Sequence, residues 1–158
     1  MKKKLLFVCL GNICRSPAAE AICSYKLKKY QLNNYCEVDS AGTGAWHVGK
    51  KSDSRMRSAA LSRGIIIESR ARQITLDDFN AFDLILTMDN SNFADVESLS
   101  RELKMPFKAK IQPLLQYSNN TDSLEVPDPY YGGEKGFEDV LDLLDDAIEQ
   151  LLVELRKF

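Results

Sequence analysis

"FVCLGNICRSP", residues 7–17, carries an apolar run into a cysteine, then a glycine, an asparagine, a second cysteine, an arginine, a serine and a proline. The residues before it, Leu5 to Val8, form a short continuous apolar run, as expected of a strand buried on both faces. Ser16 followed by Pro17 reads as a helix start, with the hydroxyl as N-cap and proline at the first helical position. Ala18, Ala21, Ile22 and Tyr25 then recur at helical spacing. The stretch is therefore a strand, a tight turn and a helix, with Cys9 at the carboxyl end of the strand.

The same alternation continues outward. Cys36 to Ser40 reads as a second strand, running into the glycine-rich "SAGTG". Ser52 to Arg63 is predicted helical and stopped by Gly64. "FDLILTM", residues 82–88, is a third strand, and "DNSNFADVESL" opens a helix after it. "AKIQPLL", residues 109–115, is a weaker fourth strand. In the last helix Phe137, Val140, Leu141, Leu144, Ile148, Leu151, Leu152 and Leu155 share one face. Glu138 and Asp139 near its start and Arg156 and Lys157 at its end suit the helix dipole. Strands alternating with helices predict an α/β fold on a parallel sheet, with ligands beyond the carboxyl ends of the strands.

Bulk properties narrow the classes. The 158 residues suit a single domain spanning 1–158, and 44% hydrophobic with 28% charged residues indicates a globular chain. A net charge of -2 argues against a nucleic-acid partner. No apolar run approaches the ~18 residues of a membrane span. Lys2, Lys3 and Lys4 precede an apolar stretch, but Leu5 to Leu10 falls short of the ~7–15 residues of a signal core, and Asn12 and Arg15 then interrupt it. A cytoplasmic location is the expectation. The cysteines, Cys9, Cys14, Cys23 and Cys36, crowd into the first quarter, so they read as free or catalytic thiols rather than staples.

Three chemistries compete for the opening stretch. Zinc would need a second compact pair beside Cys9 and Cys14, and His47 is the only histidine. Nucleotide loops of the Walker or dinucleotide kind lack their G-K-[ST] and G-x-G-x-x-G signatures. A phosphate cradle fits every residue. Leu10, Gly11, Asn12, Ile13 and Cys14 can wrap an oxyanion, because Gly11 accepts unusual dihedrals freely and Asn12 tolerates the left-handed region. Inward-facing amides make an anion nest, and the following helix adds its positive end. Arg15 supplies a planar fork for two phosphate oxygens. Those surroundings favour the thiolate of Cys9, and Ser16 can donate to it while capping the helix. Taken singly, the cysteine is a small buried hydrophobe, the arginine a solvated charge and Ser-Pro a plain cap; together at a strand-to-helix turn they point to chemistry. A non-catalytic phosphate-binding module or a redox sensor built on Cys9 and Cys14 stays open on these residues alone.

"VCLGNICRSP" resembles the C-x5-R-S loop of the low-molecular-weight protein tyrosine phosphatases, which carry a D-P-Y motif near the C-terminus; "VPDPYYGG" stands at 126–133. The likeness runs on through "DSAGTGAWHVG", "DSRM", "RARQIT", "LTMDNSN" and "GFEDV". It implies a three-layer α/β/α, phosphatase I-like fold with a central four-stranded parallel sheet. It also implies a metal-independent, cofactor-free enzyme that hydrolyses phosphotyrosine in proteins through a cysteinyl-phosphate. Cys9 would be the nucleophile, Arg15 the phosphate fork and Asp128 the general acid, in a loop stiffened by Pro127 and Pro129. Asn12, Ser16 and Ser40 match loop-bracing positions, and Asp89 would orient Arg15. Some family members carry histidine where this chain has Ser69. Trp46 and Tyr130 match aromatic walls for an entering ring. Ile13 stands where a phosphoarginine-specific branch has threonine, which favours tyrosine. The related arsenate reductases add a later cysteine, and none follows Cys36. Expected partners are phosphotyrosine-containing proteins, with inorganic phosphate or other oxyanions in the cradle. Because Cys14 lies five residues from Cys9 around a closed loop, it is expected to trap oxidised Cys9 as a reversible disulfide.

Overall fold

The structure, a computed structural model, describes residues 2–131 and 133–157; Gly132 of the "VPDPYYGG" motif lies outside them, as do Met1 and Phe158. Nine elements follow in order: β1 (Lys3–Cys9), α1 (Arg15–Lys29), β2 (Cys36–Gly42), α2 (Ser54–Leu61), α3 (Asp78–Ala81), β3 (Leu84–Thr87), α4 (Asn90–Ser100), β4 (Lys110–Pro113) and α5 (Glu134–Leu155). Short 3-10 turns cover 114–117 and 129–131. The strands form one all-parallel sheet in the order β2-β1-β3-β4.

The period of two in β1 divides the core. Leu5, Phe7 and Cys9 pack with α1, α2 and α5, whereas Leu6 and Val8 pack with Phe79 of α3 and Val96 of α4. Both faces of the sheet are therefore covered, which gives three α/β/α layers and explains the unbroken apolar run of β1. The face expected for α5 is the buried one: Val140, Leu141, Leu144, Ile148 and Leu151 have no exposed surface. At its polar margin Lys26 of α1 reaches Glu149 at 3.0 Å and Asp145 at 3.1 Å. Burial works against the lysine charge, but these carboxylates outweigh it and raise its pKa.

Several boundaries differ from the sequence pattern. Helix α1 begins at Arg15 with Cys14 as N-cap and no side-chain cap, so Ser16 and Pro17 lie inside its first turn. Pro17 is tolerated there because first-turn amides have no intrahelical acceptor. The helix expected over 52–63 is shorter, Ser54–Leu61, because Asp53 caps it, accepting from Arg55 N at 2.8 Å and Met56 N at 3.3 Å. The third strand is trimmed to 84–87, and the fourth stops at Pro113 before turning into the 3-10 segment. The short α3 has no apolar period long enough to show in the sequence.

Register places the functional edge. Cys9 pairs with Gly42, and Val8 with Thr87, so β1, β2 and β3 end together. The loops at these strand ends converge there. No helix of the described residues is long and apolar enough to cross a membrane.

Candidate active site

Residues 9–15 form the turn between β1 and α1. Its left-handed residue is Asn12, at φ 57°, whereas Gly11 stays outside that region. Space at 11 is tight: a Cβ there would lie 3.0 Å from His47 Cδ2, so the imidazole would have to shift. Asn12 also ties the loop down. Its Nδ2 donates to Ser16 Oγ at 2.7 Å, and its Oδ1 accepts from Arg72 N at 2.9 Å. On the other flank Thr43 N donates to Cys9 O and Gly44 N to Leu10 O, both at 2.9 Å. A side chain at Gly42 would collide with Leu10 O at 2.8 Å, so the end of β2 can lie against the loop only as glycine.

The Cys9 thiol is buried, 2% exposed, and two donors meet its sulfur. Ser16 Oγ lies 3.0 Å from Sγ, and Asn12 N donates to it at 3.3 Å. Because Asn12 Nδ2 already donates to Ser16 Oγ, the serine proton goes either to the sulfur or to Ala41 O, 3.3 Å away. This contact replaces the helix cap expected of Ser16: the hydroxyl is drawn inward to the loop. Among the described residues the amides of Gly11, Ile13 and Cys14 donate to no protein acceptor, as an anion nest requires.

Arg15 is 3% exposed. Its Nη1 donates to Asp89 Oδ2 at 2.6 Å and to Val126 O at 3.0 Å. Burial opposes its charge, but Cys9, Asp89 and Asp128 outweigh that and raise its pKa. With Nη1 engaged, the Nε–Nη2 edge is the one left to fork an anion. Asp89 follows β3 and accepts from Asn92 N at 2.7 Å, so one carboxylate caps α4 and holds the guanidinium. Cys14, buried at 4% exposure, has its thiol pKa pushed up by burial first and then by Asp53, Cys9 and Asp128.

The Asp128 loop closes the site. Val126 N donates to Met88 O at 2.7 Å, and Tyr130 N donates to Asp128 Oδ1 at 3.0 Å. Asp128 Oδ2 stands 3.6 Å from Arg15 Nη2, with the side chain 35% exposed. Asp128 lines a cleft of about 400 Å³ together with Cys9, Leu10, Gly11, Ile13, Cys14, Arg15, Trp46, His47 and Tyr130. Trp46 is 69% exposed, and its ring lies so close over Gly44 that a Cβ there would fall 1.9 Å from Cζ3.

Ser40 departs from the expected bracing. Its hydroxyl donates to Glu20 Oε1 at 2.6 Å, because this face of β2 looks onto α1 rather than onto the loop. Any support it gives the cradle runs through Glu20. That carboxyl has a raised pKa, chiefly from burial and further from Asp39, with Ser40, Ser69 and Arg72 acting in the opposite sense. The sequence pattern did not reveal Gly42, His47, the Arg72 amide or the Asp53–Arg55 pair. "DSAGTGAWHVG", "RARQIT" and "DSRM" contain these residues, but nothing in those stretches shows which neighbours they meet.

A thiol held by two donors, beside a buried guanidinium and a carboxyl in one cleft, can bind an oxyanion against sulfur and exchange a proton with a group leaving from it. Comparison with known proteins agrees with that chemistry. The model of the family described as low molecular weight phosphotyrosine protein phosphatase matches residues 4–158. The low molecular weight phosphotyrosine protein phosphatase of Gallus gallus is 44% identical over 138 residues, covering 87% of this chain and 86% of its own. A protein tyrosine phosphatase from Entamoeba histolytica, crystallised with Hepes in the active site, superposes with a TM-score of 0.89 at 42% identity, over 99% of this chain and 98% of its own. The Drosophila arginine phosphatase superposes with a TM-score of 0.91 at 35% identity, over 98% and 97%. With a match that takes in every strand and helix described above but for the first residue of β1, the chain belongs to the low molecular weight phosphotyrosine protein phosphatase family.

Proposed function

We propose that residues 1–158 act as one domain that hydrolyses phosphotyrosine in proteins through a cysteinyl-phosphate intermediate. The observation that carries this reading is the meeting of Cys9, Arg15 and Asp128 in a single cleft. Cys9 Sγ attacks phosphorus in line with the tyrosine oxygen. An S–P bond forms and the P–O bond to the ring breaks, while the loop amides and Arg15 hold the three equatorial oxygens. Asp128 gives its proton to the departing phenolate. Its carboxylate then takes a proton from water, the water oxygen bonds to phosphorus, and the S–P bond breaks to return the thiolate and inorganic phosphate. Ser16, donating to sulfur, stabilises that returning charge. A reducing compartment such as the cytoplasm suits this chemistry, and all four cysteines are free.

Specificity in this reading comes from the walls. Trp46 and Tyr130 line the cleft beside Cys9, and aromatic walls there suit a phenyl ring better than the short stem of serine. Ile13 lines it as an apolar side chain, where a guanidinium-bearing substrate would gain from a polar one. The decisive experiment is turnover on matched phosphotyrosine, phosphoserine and phosphoarginine peptides. Phosphotyrosine is expected to be preferred by at least about 100-fold, the discrimination a mismatched pocket typically provides. Equal or better turnover of phosphoarginine would overturn the substrate assignment while leaving the cysteine chemistry standing.

The same cleft holds Cys14, which fits a reversible oxidative response. Peroxide oxidises the Cys9 sulfur to sulfenic acid: the O–O bond breaks, one oxygen stays on sulfur as hydroxyl and the other leaves with the thiol proton as water. Cys14 sulfur then attacks Cys9 sulfur; the S–S bond forms and the hydroxyl leaves with the Cys14 proton as a second water. Burial raises the Cys14 pKa, so its thiol has to give up its proton as it attacks. Peroxide-treated protein is expected to regain activity with a thiol reductant, and Cys14→Ser to lose it largely irreversibly. Disulfide mapping that excludes Cys14 would refute the assignment.

A further inference from the structure

We infer that Arg55 is a positioning residue for the general acid, holding the Asp128 loop through the Tyr130 carbonyl; this rests on the proposed role of Asp128 as proton donor. Asp128 sits midway between two carbonyls, each two residues away and each held by an arginine. Val126 O accepts from Arg15 Nη1 at 3.0 Å, and Tyr130 O accepts from Arg55 Nη2 at 3.1 Å. The first arginine belongs to the phosphate cradle. The second does not line the cleft at all.

Arg55 is itself tightly oriented. Its Nε and Nη2 chelate Asp53 at 3.2 and 2.9 Å, and its Cζ lies 4.8 Å from the Phe137 ring centroid and 5.4 Å from that of Tyr130. Asp53 is tied back to the cradle, because its amide donates to Ile13 O at 2.8 Å. A continuous bridge therefore runs from the cradle at Ile13 through Asp53 and Arg55 to Tyr130, whose amide binds the Asp128 carboxylate. Burial alone would raise the Asp53 pKa; the Arg55 fork and two amides outweigh it and lower it, so the pair stays charged at neutral pH. The Arg55 side chain is 48% exposed and that of Asp53 only 10%, so the carboxylate anchors the pair and the guanidinium reaches outward to the Tyr130 carbonyl. Both ends of the bridge are backbone carbonyls, one in the loop that binds the phosphate and one in the loop that carries the proton donor.

The test is Arg55→Met, which keeps a stem to cover Phe137 and removes every N–H. For phenyl phosphate, kcat/KM is expected to fall roughly ten- to a hundredfold, the scale of a displacement of about 1 Å at a reacting group. For para-nitrophenyl phosphate, whose leaving group needs little protonation, the fall should be only a few-fold. Arg55→Lys, able to reach one carbonyl, should lie between. In an Asp128→Ala background, Arg55→Met should add no further leaving-group dependence, since paired effects on one proton transfer do not sum. Equal losses on both substrates, or full additivity with Asp128→Ala, would overturn the inference. Thermal melts check folding, and Arg55→Gln carries the same comparison should Arg55→Met prove unfolded. If Asp128→Ala shows leaving-group dependence and Arg55→Met does not, Arg55 alone is misassigned. If neither does, the assignment of Asp128 falls with it.

Discussion

Cys9→Ser should leave a folded protein with phosphatase turnover reduced by roughly 10⁴-fold or more, as removal of a nucleophile does elsewhere. The replacement is nearly isosteric, and the site around it is built from contacts that do not need the thiol. Asn12 still binds Ser16 and Arg72, and Thr43 still binds the Cys9 carbonyl. What changes is ionisation: a serine hydroxyl is a far weaker acid than a thiol, and the groups hydrogen-bonded at the sulfur position, Ser16 Oγ and Asn12 N, include no carboxylate or imidazole to take its proton. The variant should therefore still bind inorganic phosphate. Steady-state turnover and phosphate binding by calorimetry measure the two properties on one sample. Normal turnover in the folded variant would remove Cys9 from the mechanism.

Asp128→Ala should reduce kcat/KM for phenyl phosphate by about 10²- to 10³-fold, the usual contribution of a positioned general acid. Para-nitrophenyl phosphate should suffer far less at this step, because its leaving group is stable as the anion. kcat on the same substrate reads the later hydrolysis, where Asp128 acts as base, so it should fall as well. The 35% exposure of the side chain gives water the access that second role requires. Equal losses in kcat/KM on the two substrates would assign Asp128 a structural part only.

The sequence was most legible where the determinants are local. The apolar run of β1, the turn and the start of α1 lie within one short stretch, and the alternation of strand and helix gives the sheet its parallel class. The one-sided apolar face of α5 was equally plain, because burial follows its period. Ser16 shows where locality fails: a hydroxyl at a helix start can cap or turn inward, and the choice depends on Asn12 and Cys9 in three dimensions. Ser40 is similar, since its partner Glu20 comes from another element. Long-range geometry was illegible from pattern. Arg15 and Val126 are 111 positions apart, and nothing in spacing or periodicity brings them together; only the resemblance anticipated that Asp128 would face Cys9. Arg55 escaped notice because it acts on a backbone carbonyl, which leaves no mark in the sequence of its partner.

The position of β2 in the sheet governs how the site fails. β2 is an outer strand, paired on one side only, yet its extension at Thr43 and Gly44 carries the amides that hold the carbonyls of Cys9 and Leu10. The end of β2 is itself buried at Ser40 and Ala41, so one ladder and the packing on α1 hold the rim in place. An opening confined to that edge would release the loop while α5 and the inner strands stay packed, and activity would then be lost without loss of the fold.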